Sequence, residues 1–370
     1  MCIRDSNRFG LNLEFLVFDG YRRANSVYAN AARVDGSIFR LLDASETMAL
    51  NATEAYIDVV RHQLLLEVAK RNVATHRDIA QRVGQLVDGG RLPFSDKLTI
   101  DDRVNSARVA QLDVERALRD AAARYERVIG RLPSGQMRLQ RAPVVGSLTE
   151  LTQKAVTGSY RVQFAQAQVD QSKFEQDVAN GNTAPRVTLN AGVSQEKNRN
   201  GIDGKRDDMF IGFGLEWTIY QGGRKAERNA AAQLNYKAES ERAVAVREVR
   251  ELAARTWNNY ITATERTRML TQQLRINRMI VQVYGEEFEA AKRTLLDLLE
   301  VERARFNVEF QKVSSDASLA FSTYRVLAAQ SALASHFGVP KSQLALEPIF
   351  QDTAKASPTS VFDVAIDPLR

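Results

Sequence analysis

The chain has 370 residues, 44% hydrophobic and 26% charged, with net charge +6 and mean hydropathy −0.33. That length allows a large core or several, and no run of about 18 apolar residues offers a transmembrane helix, although alternating transmembrane strands escape such averaging. Basic residues are interleaved with acids, which argues against nucleic acid as a partner, and with Cys2 as the one cysteine there is neither a disulfide framework nor a thiolate metal site.

In chain order, MCIRDS resembles neither a signal peptide nor the rest of the chain, which enters a strand part-way, so the sequence is read as lacking its natural N-terminus. A strand is expected over 9–18, then a proline-free helix over 21–88. The turn GGRLPFSD leads into a returning helix whose Ile100, Val104, Ala107, Gln111, Val114, Leu118, Ala121, Tyr125 and Val128 form a heptad seam. Residues 146–180 begin polar and turn helical. Two strands come next, 186–194 and 209–220, joined by the polar hairpin loop NRNGIDGK. Val187, Leu189 and Val193 lie on one face of the first; Ile211, Phe213, Leu215, Trp217 and Ile219 lie on one face of the second. Such alternation suits an outer-membrane strand facing lipid, although on pattern alone it points more often to a half-buried strand of a soluble sheet. Glu14 and Glu216 fall on the polar faces, to line a lumen or mark a rim.

A second proline-free helix is expected over 223–291, then the turn AAKRTLLD and a returning helix with a seam at Val313, Ala317, Ala320, Tyr324, Leu327, Ser331 and Ala334. Each long helix could run for roughly 100 Å, too long for a compact globule without a coiled-coil barrel of neighbours. After Pro340 the chain has no period and reads as a flexible tail. The segments are therefore 1–20, the first-repeat strand; 21–133, a helical hairpin; 134–184, an equatorial segment and helix; 185–222, a β-hairpin; 223–340, a second helical hairpin; and 341–370, the tail.

The chain repeats itself. GLNLEFLVFDGYRR (10–23) aligns without a gap with GFGLEWTIYQGGRK (212–225), each position shifted by 212 − 10 = 202. Gly84, Asp96 and Leu98 match Gly285, Asp297 and Leu299 at an offset of 201, and Gly130 matches Gly338 at 208. The slip between 201 and 208 is one heptad, which preserves the phase of a seam. A period this long marks a duplicated half. Gly20, Gly222 and Gly223 are the candidate strand-to-helix turn residues.

A strand, a tight FDGY or YQGG turn, a very long helix, a tip turn, a returning helix and a closing glycine, all duplicated, resemble the TolC family of outer-membrane efflux proteins. The resemblance covers roughly 9–340 and rests on GLEWTIYQGGRK, RTLLDLLE (293–300) and FGVP (337–340). It implies a mainly α chain with transmembrane β: a homotrimer sharing a 12-stranded outer-membrane β-barrel in lipid, above a long periplasmic α-helical coiled-coil barrel. With three strands visible, the missing N-terminus should hold a fourth. It further implies a gate at the helix tips. By motif, Arg293 is the gating arginine, Asp297 and Glu300 form acidic rings able to bind cations or hold a proton, Asp96 is the partner acid, and Phe288 stands where the family has a tyrosine. Asp96 and Asp297 are alternatively helix N-caps, and Arg293 a solvated helix end.

The function implied is a passive conduit recruited by a periplasmic adaptor and an inner-membrane ABC or proton-driven transporter, opened by untwisting of the helix pairs. DGYRRAN, AYIDVVRHQLLLEVAKRN and YERVIGRLP look most like the type I secretion branch that exports adhesins. Multidrug efflux is the alternative within the class, and a soluble periplasmic coiled-coil adaptor the alternative outside it. GxxxxGK[ST], HExxH, GxSxG and CxxC do not occur, so no catalytic residue or cofactor is expected. His62, His76 and His336 are too scattered to share a metal.

Overall fold

The computed structural model describes residues 6–135, 137–198 and 203–355. Cys2, the middle of the hairpin loop at 199–202 and the last part of the expected tail, 356–370, lie outside the described residues. The elements are β1 (Asn7–Phe18), α1 (Arg22–Asp88), α2 (Phe94–Ile129), α3 (Leu148–Gly158), α4 (Tyr160–Gly181), β2 (Arg186–Lys197), β3 (Lys205–Glu216), α5 (Arg224–Glu289), α6 (Leu295–Ala329), and the short α7 (Leu333–His336), α8 (Lys341–Leu344) and α9 (Phe350–Thr353). The chain is mostly helical with a small sheet. No described helix is long and apolar enough to cross a membrane.

The chain forms two compact units, each assembled from separated stretches. One contains Met1–Leu42, Tyr160–Arg247 and Lys341–Arg370; the other contains Asp43–Ser159 and Glu248–Pro340. The segment 134–184 is thus divided at Ser159, where the helical stretch breaks into α3 and α4.

In the first unit β1, β2 and β3 form an antiparallel sheet in that order. Two expected strand limits move. β3 ends at Glu216 because its partner Arg186 is the first residue of β2, directly after Pro185, which has no N–H to give the ladder. Trp217 and Ile219 therefore lie beyond the strand, and the Trp217 indole N–H donates to the Thr183 carbonyl at 3.1 Å. At the other end the ladder extends to the pair Lys197 and Lys205. The turn from β1 into α1 needs Gly20: its φ is +67°, and a Cβ there would lie 2.6 Å from the Gly181 carbonyl oxygen. Gly223 likewise has φ +91°, whereas Gly222 has ordinary φ and open space around it, so the fold does not require glycine at 222. Asp19 accepts from the Arg23 amide at 3.1 Å and supplies the start of α1 with a cap.

The expected flexible tail is docked in its first part. Asp35 on α1 accepts from the amides of Phe350 and Gln351 at 3.0 and 2.7 Å, capping α9. Ala345 packs beside Ile38, Leu42 and Tyr160, and Ala354 beside Tyr28 and Phe174. Lack of period hid this docking, because it depends on isolated alanines and on helix-end amides that find a carboxylate far away in sequence. Burial outweighs those two hydrogen bonds and holds the Asp35 carboxyl above the usual aspartate range.

In the second unit α1 packs against α2 through Val59, Ala121 and Tyr125, and against both α2 and α6 through Leu65, Ala69, Val114, Phe310 and Val313. Helix α6 meets α5 through Leu270, Leu274 and Val308. The α2 seam is buried at Ile100, Val104, Ala107, Val114, Ala121 and Tyr125, as its heptad spacing requires. Because α6 has neighbours on two sides, it also buries Glu302, Glu309, Ser315, Ser322 and Thr323. Its seam does not continue as one helix to Ala334: α6 stops at Ala329, and Ser331 takes φ +53° before α7 begins. Glu46 of α1 then accepts from the Leu333 and Ala334 amides at 2.9 and 3.2 Å.

Candidate functional site

Two features of the fold bear on function, and the first is the sheet. Cross-strand pairs place Leu11, Val193 and Met209 in one row, Leu13, Ala191 and Ile211 in the next, then Phe15, Leu189 and Phe213, and Val187 with Leu215. Directly paired residues share a face, so these eleven apolar side chains form one surface. Leu11, Leu13, Ile211, Phe213 and Leu215 are 62 to 76% exposed, although each is a residue type that ordinarily seeks a core. The opposite face carries Asn12, Glu14, Thr188, Asn190, Ser194 and Glu216, with Arg186 bonded to Glu14 at 3.3 Å. Beyond Val193 the sheet turns charged, with Arg8 on Glu196 and Arg206 on Asp208. Of the expected lipid-facing residues, Val187, Leu189, Val193, Ile211, Phe213 and Leu215 share the apolar face, while Trp217 and Ile219 come after the strand as exposed side chains.

The second feature is the pair of turns that end the long helices. In the first, Arg91 N–H donates to the Leu86 carbonyl and Gly90 N–H to that of Val87, with Gly90 at φ +72°. In the second, Lys292 N–H donates to Glu287 and Ala291 N–H to Phe288, with Ala291 at φ +56°. Both are Schellman caps, copied at the repeat offset. The second places an alanine where the first has glycine, at a backbone cost of roughly 1–2 kcal/mol.

Between these turns Ile79, Val83, Ile100, Phe288, Leu295, Leu298 and Leu299 form a core to which α1, α2, α5 and α6 all contribute. Phe288, at the position where the resemblance expects a tyrosine, is thus buried in this core. The aromatic that Arg293 meets is Tyr284, one helical turn earlier: the guanidinium carbon lies 4.3 Å from the ring centroid. Arg293 Nε donates to Glu287 Oε2 at 2.8 Å, and this bond, with the nearby acids, raises the arginine's pKa above its usual value. Sequence reasoning missed Tyr284 and Glu287. The available signal was helical: Tyr284 and Phe288 are four apart, so a tyrosine at either position reaches the same end of α5.

The acids differ from one another. Asp297 is the third residue of α6 and closes a capping box with Thr294, whose hydroxyl and amide both donate to it at 2.8 and 3.1 Å. Those bonds hold its carboxyl below the usual aspartate range. The N-cap is Thr294 rather than Asp297. Asp96 is likewise the third residue of its helix, with Pro93 at the N-cap and no side-chain cap bond. Asp96 lines a cavity of about 390 Å³ together with Arg293, Phe288 and Thr294, without an ion pair to Arg293 among the described residues. Glu300 lines another, of about 380 Å³, with His76, Arg103 and Arg303. His62 and His76 bond the backbone carbonyls of Asp58 and Asn72 through Nδ1 at 2.8 Å, and His336 lies against Phe337.

The family model described as "Outer membrane efflux protein" matches residues 151–334. The chain belongs to this family. The outer membrane efflux protein BepC of Brucella suis is 24% identical over 339 residues, 88% of this chain and 72% of that protein. The alkaline protease secretion protein AprF of Pseudomonas aeruginosa is 23% identical over 338 residues, 88% and 70% respectively. Among solved structures, the outer membrane protein VceC of Vibrio cholerae superposes with a TM-score of 0.75 at 13% identity, covering 88% of this chain and 80% of that one. This efflux family consists of channels rather than enzymes, trimeric and working with adaptors and inner-membrane transporters. The chain is thus an outer-membrane efflux channel component with a periplasmic helical part, and the three strands among the described residues are consistent with part of a barrel. Membership of the channel family decides against the soluble adaptor.

Proposed function

We propose that this efflux-family chain forms a homotrimeric, passive conduit for protein secretion, gated at the tips of α1/α2 and α5/α6 and coupled to a periplasmic adaptor and an inner-membrane ABC transporter. The observation that carries the conduit is the sheet with one apolar, exposed face and one polar face, which suits lipid outside and water inside. Homotrimer formation is supported by apolar residues exposed at heptad steps along α5, Met269, Ile276, Met279 and Val283, and by Leu98, Val109 and Leu112 on α2. The gate is assigned to Arg293 with Asp96, Asp297 and Glu300, with Phe288 as the packing beneath them.

Secretion is favoured by the likeness to a relative named for secretion of alkaline protease, and an adhesin is one such protein cargo. Multidrug efflux with a proton-driven pump is the second reading, favoured by the likeness to a relative named an efflux protein. Deleting the gene and assaying both secreted protein and drug susceptibility separates them: loss of secreted protein is expected, and drug sensitivity with secretion intact would select efflux. Fractionation of the same cells should find heat-modifiable trimers in the outer membrane, and soluble monomer would refute the conduit.

A further inference from the structure

The gating arginine is compensated within its own chain. Glu287 takes its Nε–H at 2.8 Å, Tyr284 covers one face of its guanidinium at 4.3 Å, and Asp297 adds a second nearby carboxylate. Glu287 and Tyr284 are three residues apart on α5 and so share a face. The Schellman cap at Ala291 turns the chain back so that Arg293 lies over that face. An acid arriving from a neighbouring protomer must therefore compete with these two carboxylates for the guanidinium. Asp96, the partner acid of the proposed gate, lines the cavity beside Arg293 without pairing with it within the protomer.

We infer that Glu287 is a positioning residue that competes for Arg293, holding it within its own helical hairpin and thereby favouring the released, open tip. The inference rests on Arg293 being the gate. To join a neighbour's acid, the arginine must leave Glu287 and Tyr284. Removing the Glu287 charge frees the guanidinium for the neighbour's acid, so the closed gate strengthens. Glu287 and Arg293 therefore act with opposite signs on the same equilibrium.

The test is single-channel recording in planar bilayers of the wild-type channel, Arg293→Ser, Glu287→Gln and the double variant. Arg293→Ser should raise open probability, and Glu287→Gln should lower it about two- to fivefold, the range for one exposed ion pair. The double variant should match Arg293→Ser, because without the arginine there is nothing for Glu287 to hold; a merely structural role for Glu287 would not vanish in that background. Glu287→Asp should restore most of the wild-type value. Should Glu287→Gln raise opening as Arg293→Ser does, or leave it unchanged, the competition is refuted while the gate stands. An unchanged Arg293→Ser channel removes the gate, and the competition with it.

Discussion

At Asp297 a single carboxylate shows how local hydrogen bonding narrows a role that sequence leaves broad. RTLLDLLE places an acid three residues after Thr294, and the same spacing that suggests a charged ring also writes a capping box. Because Asp297 has its pKa lowered by Thr294, its contribution to stability is present above the usual aspartate value and is lost as pH falls through the lower folded one. Thr294→Ala should cost about 1 kcal/mol in chemical denaturation at neutral pH, and the difference from wild type should shrink as the medium is acidified below about pH 4. A pH-independent difference would mean that Asp297 does not take part in the cap. Tyr284 and Glu287 were not legible, since a motif alignment compares positions along a chain while a cation–π contact depends on how a turn folds back.

Among the elements, α6 is the member that joins the helical unit together, and a buried ion network marks it. Glu309, 7% exposed, receives Arg71 of α1 at 3.0 Å, Arg278 of α5 at 3.4 Å and Arg305 of its own helix at 3.1 Å. Glu302, also buried, takes the other side of Arg305 at 2.7 Å. One carboxylate thus ties α6 to both neighbouring long helices, and three guanidiniums converge on two acids. Glu309→Gln should lose about 1–2 kcal/mol of stability, because Arg71 and Arg278 reach solvent and Arg305 keeps Glu302. Thermal melting of the trimer would measure it, and an unshifted midpoint would show that the network is not a tie. The heptad pattern foretold the α2 seam well. It foretold the end of α6 poorly, because Ser331 breaks the helix and it is Leu333 that joins the core of Ala317, Ala320 and Tyr324.

At the scale of the whole molecule, the sheet face sets the environment. An arginine at Ile211, midway along the apolar rows, should cost about 2–4 kcal/mol in lipid and sharply reduce heat-modifiable trimer in the outer membrane. Asn12→Arg, on the opposite face of β1, should be tolerated. Equal effects would contradict lipid contact by the apolar face. Sequence by itself determined the duplication, the helix lengths, the period-two strands and the family, because these depend on residue order, proline placement and local periodicity. Only tertiary structure decided where β3 ends, that 341–355 docks, that Phe288 is core and that Tyr284 and Glu287 hold Arg293. Each of those depends on which partner a side chain or amide finds across the fold, and periodicity along one chain carries no information about that partner.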